Sequence, residues 1–275
     1  MQKKIAAIQM TSTDDWQENL EFVEKQVRVA AEAGAVLAVL PENALLFAGT
    51  LLRSLAESEQ QQIIQNDLAR IARTYQIYLI VGSHPSLNRP DGNEVEEGRV
   101  RQSCLVYSNQ GELLTRYDKA HLFDAAVNDK NGQYQESRVI EKGELSFKVV
   151  EIAGIKVGLS ICYDLRFPEM YRQLVDLGAD LVVVPAAFTY RTGEAHWHTL
   201  LRSRAIENQF FVLGVNQCGQ HTPTRETFGN SVCYSPWGDN LGQLQHQPGL
   251  LLVDIDLNEI QTCRTAMPVH QHRRL

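Results

Sequence analysis

Apolar positions along the first third of the chain follow two rhythms. Residues 4–10 (KIAAIQM) and 36–40 (VLAVL) are short, nearly continuous apolar runs, the mark of strands buried on both faces. Between them, Trp16, Leu20, Val23, Val27 and Ala30 recur at helical spacing, which predicts a helix over 16–33. Asp14 or Asp15 is placed to cap that helix, and Gly34 to end it. Pro41 stops the second strand. Ser58 to Gln61 reads as a capping box, and Ile64, Leu68 and Ile71 carry its helix toward a third strand at 77–81. This strand–helix–strand–helix–strand order calls for crossover connections and a sheet covered by helices.

The rhythm then changes. Asn109-Gln110-Gly111 joins strands 103–108 and 112–117 as a hairpin, and Ala153-Gly154 does the same for 147–152 and 155–161. A second strand–helix–strand–helix–strand unit follows, with strands 155–161, 180–184 and 210–215 and helices 168–177 and 195–208. Residues 230–255 read as further hairpin, turning at Pro236-Trp237-Gly238. Residues 84–101 are polar, hold Pro, Gly and Asn, and read as a long surface loop. No linker rich in Gly, Ser or Pro divides the chain, so one domain over 1–275 is expected. Its class is α/β, with two sheets face to face and helices on both outer sides.

The charge balance narrows the partners. A net charge of -7 disfavours nucleic acid and anionic membrane, which both demand a basic surface. No run approaches the roughly 20 apolar residues needed to span a bilayer. The opening MQKKIAAIQM lacks the apolar length of a signal peptide. The five cysteines, Cys104, Cys162, Cys218, Cys233 and Cys263, are odd in number and widely spaced, with no C-x-x-C. They predict free thiols in a reducing, cytoplasmic setting.

Three reactive residues fall just past predicted strand ends: Glu42 after VLAVLP, Lys119 after ELLTRYD and Cys162 after KVGLSI. Loops beyond strand ends converge in layered α/β proteins, so these residues can share a pocket. A lone cysteine is ordinarily a small buried apolar residue. Cys162 differs because its segment runs from a strand into a charged turn before a helix opened by Pro168. Cys104 and Cys233 sit inside strand patterns, Cys263 in a helix and Cys218 near a strand end. A cysteine nucleophile needs a base or a cation nearby, and none of the eight histidines stands out as that partner. His196 and His198 flank Trp197 two positions apart, share no helix face and make a poor metal pair. His270-Gln271-His272 reads as surface. No metal or cofactor is expected. Taken singly, Glu42 reads as a capping or surface carboxylate and Lys119 as a solvated lysine.

Taken together they read otherwise. Pro41-Glu42, then Arg116-Tyr117-Asp118-Lys119-Ala120-His121-Leu122-Phe123, then Cys162-Tyr163-Asp164-Leu165-Arg166-Phe167-Pro168-Glu169 resemble, in order and spacing, the nitrilase superfamily of carbon–nitrogen hydrolases. The resemblance runs from the first strand to His272-Arg273-Arg274. It implies a four-layer α-β-β-α sandwich of the nitrilase type and a homodimer or larger homo-oligomer acting on a small-molecule amide. It also implies Cys162 as nucleophile, Glu42 as general base and Lys119 as oxyanion stabiliser, aided by the Tyr163 backbone N–H. Gln135-Glu136-Ser137 matches the second active-site glutamate of the family.

Within the superfamily the chain looks most like the branch of deaminated glutathione amidases and ω-amidases. The supporting segments are Ala195-His196-Trp197, residues 201–209 (LRSRAIENQ), 216–221 (NQCGQH) and 268–274 (PVHQHRR). Residues 125–132 (AAVNDKNG) depart from the shorter pattern of ω-amidases. The resemblance therefore implies cleavage of deaminated glutathione to α-ketoglutarate and cysteinylglycine through a cysteine thioester. Alternatives are an ω-amidase acting on α-ketoglutaramate, a general short-chain amidase, or a catalytically silent binding protein of the same fold. A silent protein would lack a triad residue, and all three are present. A papain-like hydrolase would need a histidine paired with the thiol.

These substrates carry a carboxylate. Arg166 is a candidate to bind it through its fork of N–H donors, and reads equally as scaffolding paired with Asp164 or Glu169. Phe188, Thr189, His196 and Trp197 follow another strand end and are candidates to line the same pocket; Phe188 and Trp197 read equally as core. The polar stretches 125–132 and 217–221 are expected to make room beyond the scissile nitrogen.

Overall fold

In the computed structural model, which describes residues 2–274, the alternation of side chains along the first strand sets the layers. Strand β1 (Gln2–Gln9) turns Ile5 and Ala7 into an apolar core between two sheets. It turns Ala6 and Ile8 into a second core under helices. β1 pairs in parallel with β2 (Leu37–Val39), and β2 with β3 (Tyr78–Ser86). The antiparallel strands β4 (Arg101–Tyr107) and β5 (Leu113–Asp118) follow. Then β6 (Asp124–Ala126) and β7 (Gln133–Gln135) form a separate small hairpin.

The second sheet contains β8 (Val149–Ile152), β9 (Ile155–Leu159), β10 (Leu181–Ala186) and β11 (Phe211–Asn216). Another small hairpin, β12 (Cys218–Gln220) and β13 (Glu226–Phe228), interrupts it. β14 (Val232–Tyr234) and β15 (Asn240–Gln243) complete the sheet, and β16 (Gly249–Asp256) returns to β1. The orders are β16-β1-β2-β3-β4-β5 and β8-β9-β10-β11-β14-β15. In that direction both sheets run through one antiparallel, two parallel and two antiparallel pairs. Helices α1 (Trp16–Glu32), α2 (Leu52–Glu57) and α3 (Gln60–Thr74) cover the first sheet. Helices α4 (Pro168–Asp176) and α5 (Tyr190–Asn208) cover the second, giving an α-β-β-α sandwich. The short α6 (Asn258–Ala266) and α7 (Val269–His272) follow β16. Among the described residues no helix is long and apolar enough to cross a membrane.

Local chemistry accounts for most boundaries. Asp15 caps α1 by accepting from the N–H groups of Gln17 at 2.9 Å and Glu18 at 3.3 Å. Thr189 caps α5, accepting from the Thr192 N–H at 3.2 Å, so this helix starts five residues before the expected 195. The capping box expected at Ser58 does not form. Ser58 closes α2 instead, its hydroxyl donating to the Leu55 carbonyl at 2.8 Å. The expected terminal hairpin over 230–255 is divided between two sheets, because β16 leaves β15 to pair with β1. Gly82 lies at a tight contact between the sheets: a Cβ there would overlap the Pro41 carbonyl and the Pro185 ring.

The stretch expected as a long surface loop is more ordered than its composition suggests. A bulge after Val81 lets β3 run on to Ser86, which pairs with Arg101 of β4. Glu141 pins the remainder. Its carboxylate accepts from Arg89 Nε and Nη2 at 2.8 Å each, from Arg101 Nε at 2.7 Å and from the Glu96 N–H at 2.7 Å. The Arg89 hydrogen bonds lead in pulling the Glu141 pKa down from 4.5 to about 2. A depressed carboxylate stabilises the fold fully above its unfolded pKa and loses that contribution as pH falls toward the folded value. Glu141→Gln is expected to cost about 1.5–3 kcal/mol at neutral pH, the scale of hydrogen bonds to a charged group, since Arg101 keeps Glu144 as its partner while Arg89 loses its carboxylate. Denaturant unfolding of both proteins should show that gap narrowing between pH 4.5 and about 2. A gap that stays constant there would show that Glu141 acts through shape rather than charge.

Candidate active site

Glu42 leaves the end of β2 behind Pro41, where its backbone is clamped on both sides. The Gln217 amide donates to the Glu42 carbonyl at 2.9 Å, and the Asn43 N–H donates to the Ser83 hydroxyl at 2.8 Å. Its carboxylate is buried and receives the Lys119 ammonium on Oε1 at 2.7 Å and the Ala187 N–H on Oε2 at 2.9 Å. Lys119 follows the last residue of β5, anchored by its own N–H on the Gln102 carbonyl at 2.9 Å. Its carbonyl accepts from the Gly143 N–H at 2.7 Å. Only glycine fits at 143, because a Cβ would run into the Asp118 carbonyl.

Glu136 opens a short 3-10 turn, Glu136–Arg138, directly after β7. Both its oxygens hold Lys119 Nζ, at 2.7 and 2.9 Å, and Oε2 also accepts from the Phe123 N–H at 2.7 Å. An ammonium 2% exposed is therefore held between two carboxylates from distant segments. Burial works to lower the Lys119 pKa, but the charges of Glu136 and Glu42 outweigh it and hold it well above the ordinary value. Burial raises the Glu136 pKa, with Lys119 opposing and Glu42 adding to the rise.

Cys162 begins the 3-10 turn Cys162–Arg166 beyond β9, with a left-handed backbone at φ +49°. That conformation costs a non-glycine residue about 1–2 kcal/mol and persists only where the surroundings enforce it. Here Asp164, fully buried, enforces it. Its carboxylate accepts from the Ile161 N–H at 2.8 Å, the Tyr117 hydroxyl at 2.8 Å and the His121 N–H at 3.2 Å. The His121 ring nitrogen Nδ1 lies 2.7 Å from the same carboxylate. Burial first, and then the Glu42 charge, push the Cys162 thiol well above the usual cysteine value, while Lys119 works to lower it. The resting group is a thiol with a carboxylate beside it. The first N–H groups of a helical turn have no acceptor within it, and such free donors suit a developing negative charge; the turn Cys162–Arg166 places the Tyr163 N–H among them.

Glu42, Lys119, Glu136 and Cys162 line one cavity of about 290 Å³, together with Tyr163, Arg166, Phe188 and Thr189. A sequence profile described as carbon-nitrogen hydrolase matches residues 4–265. The chain belongs to the carbon–nitrogen hydrolase family. It is similar to a deaminated glutathione amidase of Yersinia enterocolitica, 39% identical over 98% of this chain and 92% of that one. Among solved structures it is similar to the NitFhit protein of C. elegans, with a TM-score of 0.87 and 32% identity, covering 99% of this chain and 65% of that one. An amidase from Nesterenkonia sp. gives a TM-score of 0.80 and 30% identity over 98% of this chain and 95% of that one. A glutamate-to-glutamine mutant of that amidase carries acrylamide added at its active site cysteine.

In this carbon–nitrogen hydrolase two of the expected lining residues stand elsewhere. Trp197 is fully buried core: its Nε1 donates to the Asn230 carbonyl at 2.8 Å and its ring packs on Phe188 at 4.9 Å. Its position on α5 faces the second sheet rather than the cavity. His196 lies outside the cavity and touches it only through Arg166, whose Nη1 and Nη2 each lie 3.3 Å from its Nδ1. The stretch 217–221 makes no room either. Gln217 braces Ser12 and Glu42, and His221 stacks on Phe47 at 3.7 Å. Asn131 from the 125–132 stretch does line the cavity. Arg225 also lines it and escaped the sequence reading. It sits at the tip of a hairpin whose three-residue strands are too short to show alternation.

Because Glu42 raises the thiol pKa, Glu42→Gln is expected to move the pH midpoint for alkylation of Cys162 by iodoacetamide downward. Mass spectrometry after brief labelling reads this site apart from the other four cysteines. A midpoint that stays or rises would mean that the Glu42 charge does not act on the thiol.

Proposed function

We propose that this carbon–nitrogen hydrolase cleaves the γ-amide of deaminated glutathione, releasing α-ketoglutarate and cysteinylglycine, with Cys162, Glu42, Lys119 and Glu136 as its catalytic residues. The observation that carries the chemistry is the Glu42–Lys119–Glu136 cluster, joined at 2.7 Å contacts in the cavity that holds Cys162. The Cys162 sulfur attacks the amide carbon as Glu42 takes its proton. The oxyanion forms against the Lys119 ammonium and the Tyr163 N–H. Glu136 accepts from Lys119 through two oxygens, so one N–H of the ammonium can turn to the oxyanion while the others stay held. Glu42 then protonates the departing nitrogen, and the amine leaves a thioester on Cys162. Water, deprotonated by Glu42, attacks that thioester, and the returned proton restores the thiol. The cycle needs no cofactor.

Two features support the substrate. The similar protein from Yersinia enterocolitica carries that name. Arg166 does not pair with Asp164 or Glu169. Its guanidinium rests over the Tyr163 and Phe188 rings, 5.8 and 5.3 Å from their centroids, and forms no ion pair among the described residues. It is thus open to the carboxylate of a keto acid. Thr189 and Phe188 would border the same half of the substrate. We further propose that the chain acts as one hydrolase domain, in the cytoplasm, as a homodimer or larger homo-oligomer.

Cys162→Ala is expected to abolish turnover with the far-UV circular dichroism unchanged. Lys119→Ala and Glu42→Gln should each lose at least about 100-fold in kcat, the scale of an oxyanion or acid–base contribution. Turnover by a folded Cys162→Ala protein would sink the mechanism. On substrates, kcat/KM for deaminated glutathione should exceed that for α-ketoglutaramate. An advantage of about tenfold or more for α-ketoglutaramate, about 1.4 kcal/mol of transition-state preference, would overturn the substrate and leave the amidase standing.

A further inference from the structure

The two most buried arginines of the molecule meet carboxylates, whereas the half-buried Arg172 and Arg264 form no ion pair among the described residues. Arg101 contacts Glu141 and Glu144, and Arg204 contacts Glu207 at 2.9 Å. The two arginines of the cavity do not. Arg225, half-buried, donates from Nη2 to the Ala187 carbonyl at 2.6 Å and from Nη1 to the Tyr134 hydroxyl at 3.2 Å. Its guanidinium carbon lies 5.0 Å from the Tyr134 ring centroid and 5.8 Å from that of Phe47. Like Arg166, it forms no ion pair among the described residues. Neutral acceptors occupy two of its five N–H donors and leave the rest of the fork open.

The neighbours of the two guanidinium groups do not overlap. Arg166 is set among Tyr163, Phe188 and His196, and Arg225 among Phe47, Tyr134 and Ala187. Both line the cavity that also holds Cys162, Arg225 held on the Ala187 carbonyl and Arg166 over the ring of the next residue, Phe188. One monocarboxylate needs one such fork. Two forks lining one cavity, each with its own set of neighbours and neither in an ion pair among the described residues, fit a substrate with two anionic groups. The Tyr134 hydroxyl also donates to Asp129 at 2.8 Å, so Arg225 links the β12–β13 hairpin to the β6–β7 hairpin.

We propose that Arg225 binds the terminal carboxylate of a peptide leaving group, while Arg166 takes the carboxylate of the acyl half. This rests on the substrate reading above and deepens it. The substrate class becomes amides that join a keto dicarboxylic acid to a short peptide with a free C-terminus. Arg225 is then the residue that separates such amides from primary amides, which have no group to reach it.

The test compares deaminated glutathione with its C-terminal carboxamide. Acyl half, scissile bond and leaving amine are the same in both, and only the distal charge differs. In the wild-type protein the acid should be favoured by about 10- to 100-fold in kcat/KM, the range of a hydrogen bond to a charged group, mainly through KM. Arg225→Gln should collapse that ratio toward unity, and Arg225→Lys should keep part of it. A variant that slows acid and carboxamide equally, with the ratio intact, would overturn the proposal. It would mean that Arg225 only braces the Ala187 carbonyl behind Glu42. No preference for the acid in the wild type would overturn it equally. A wild-type protein that cleaves α-ketoglutaramate but neither peptide amide would instead refute the substrate reading itself, and this arm keeps the two failures apart.

Discussion

The buried ammonium of Lys119 is the constraint on which the rest of the site depends. An unpaired cation at that depth costs several kcal/mol of lost hydration. Two carboxylates therefore converge on it, one from the end of β2 and one from the turn after β7. Two carboxylates around one ammonium leave an excess negative charge, and the backbone answers it. The Ala187 N–H donates to Glu42 and the Phe123 N–H to Glu136. A thiolate added to that cluster would be a further anion, which accounts for the thiol being held protonated by burial and by Glu42. Moving the Cys162 proton onto Glu42 changes no net charge in the cavity. In the proposed mechanism nucleophile and base thus exchange one proton inside a fixed electrostatic frame, and attack would need no preformed thiolate.

That frame is supplied by the repeated topology. β2 is the middle strand of the parallel trio in the first sheet, and β10 holds the same place in the second. Glu42 follows the first and Ala187 follows the second, and a hydrogen bond of 2.9 Å joins them across the sheets. Gly82 marks how closely these ends approach, between Pro41 and Pro185. Cys162 comes from β9, beside β10, and Lys119 from β5 at the edge of the other sheet. The site is thus assembled at the face where both sheets end. Face-to-face packing of the sheets is what brings Glu42, Lys119 and Cys162, the residues proposed for catalysis, into one cavity.

What could be read in the sequence follows the strength of each local signal. The core strands and α1 were legible because burial on both faces makes Ile5 to Ile8 a continuous apolar run and burial on one face imposes a period of 3.6 on Leu20 to Ala30. Their ends pointed to Glu42, Lys119 and Cys162 as neighbours. Glu136 could be found only through the resemblance, since a three-residue 3-10 turn has no period to read. Trp197 misled because a residue's place in the chain near a strand end does not say which face of its helix it occupies, and Asn230 and Phe188 hold it in the core. Ser58 misled because a serine between two helices can end one as readily as it begins the next. Arg225 left one usable mark: an arginine in a turn with no acidic neighbour able to pair with it except Glu226, which its own strand direction carries away.

An excess of acidic residues is no obstacle to an anionic substrate. The net charge of -7 is spread over the surface, and salt screens it beyond about 8 Å at physiological ionic strength. Within that distance the cavity is governed by what lines it. Glu42 and Glu136 are offset by Lys119 and two backbone donors, whereas Arg166 and Arg225 face the cavity with only aromatic rings, a histidine and neutral acceptors beside them. Aromatic faces stabilise a guanidinium without neutralising it, so they fix its position and leave its charge available. The global charge disfavours polyanions that must lie along the surface. The local arrangement favours a small anion that can enter past it, and this separates a basic site from a basic protein.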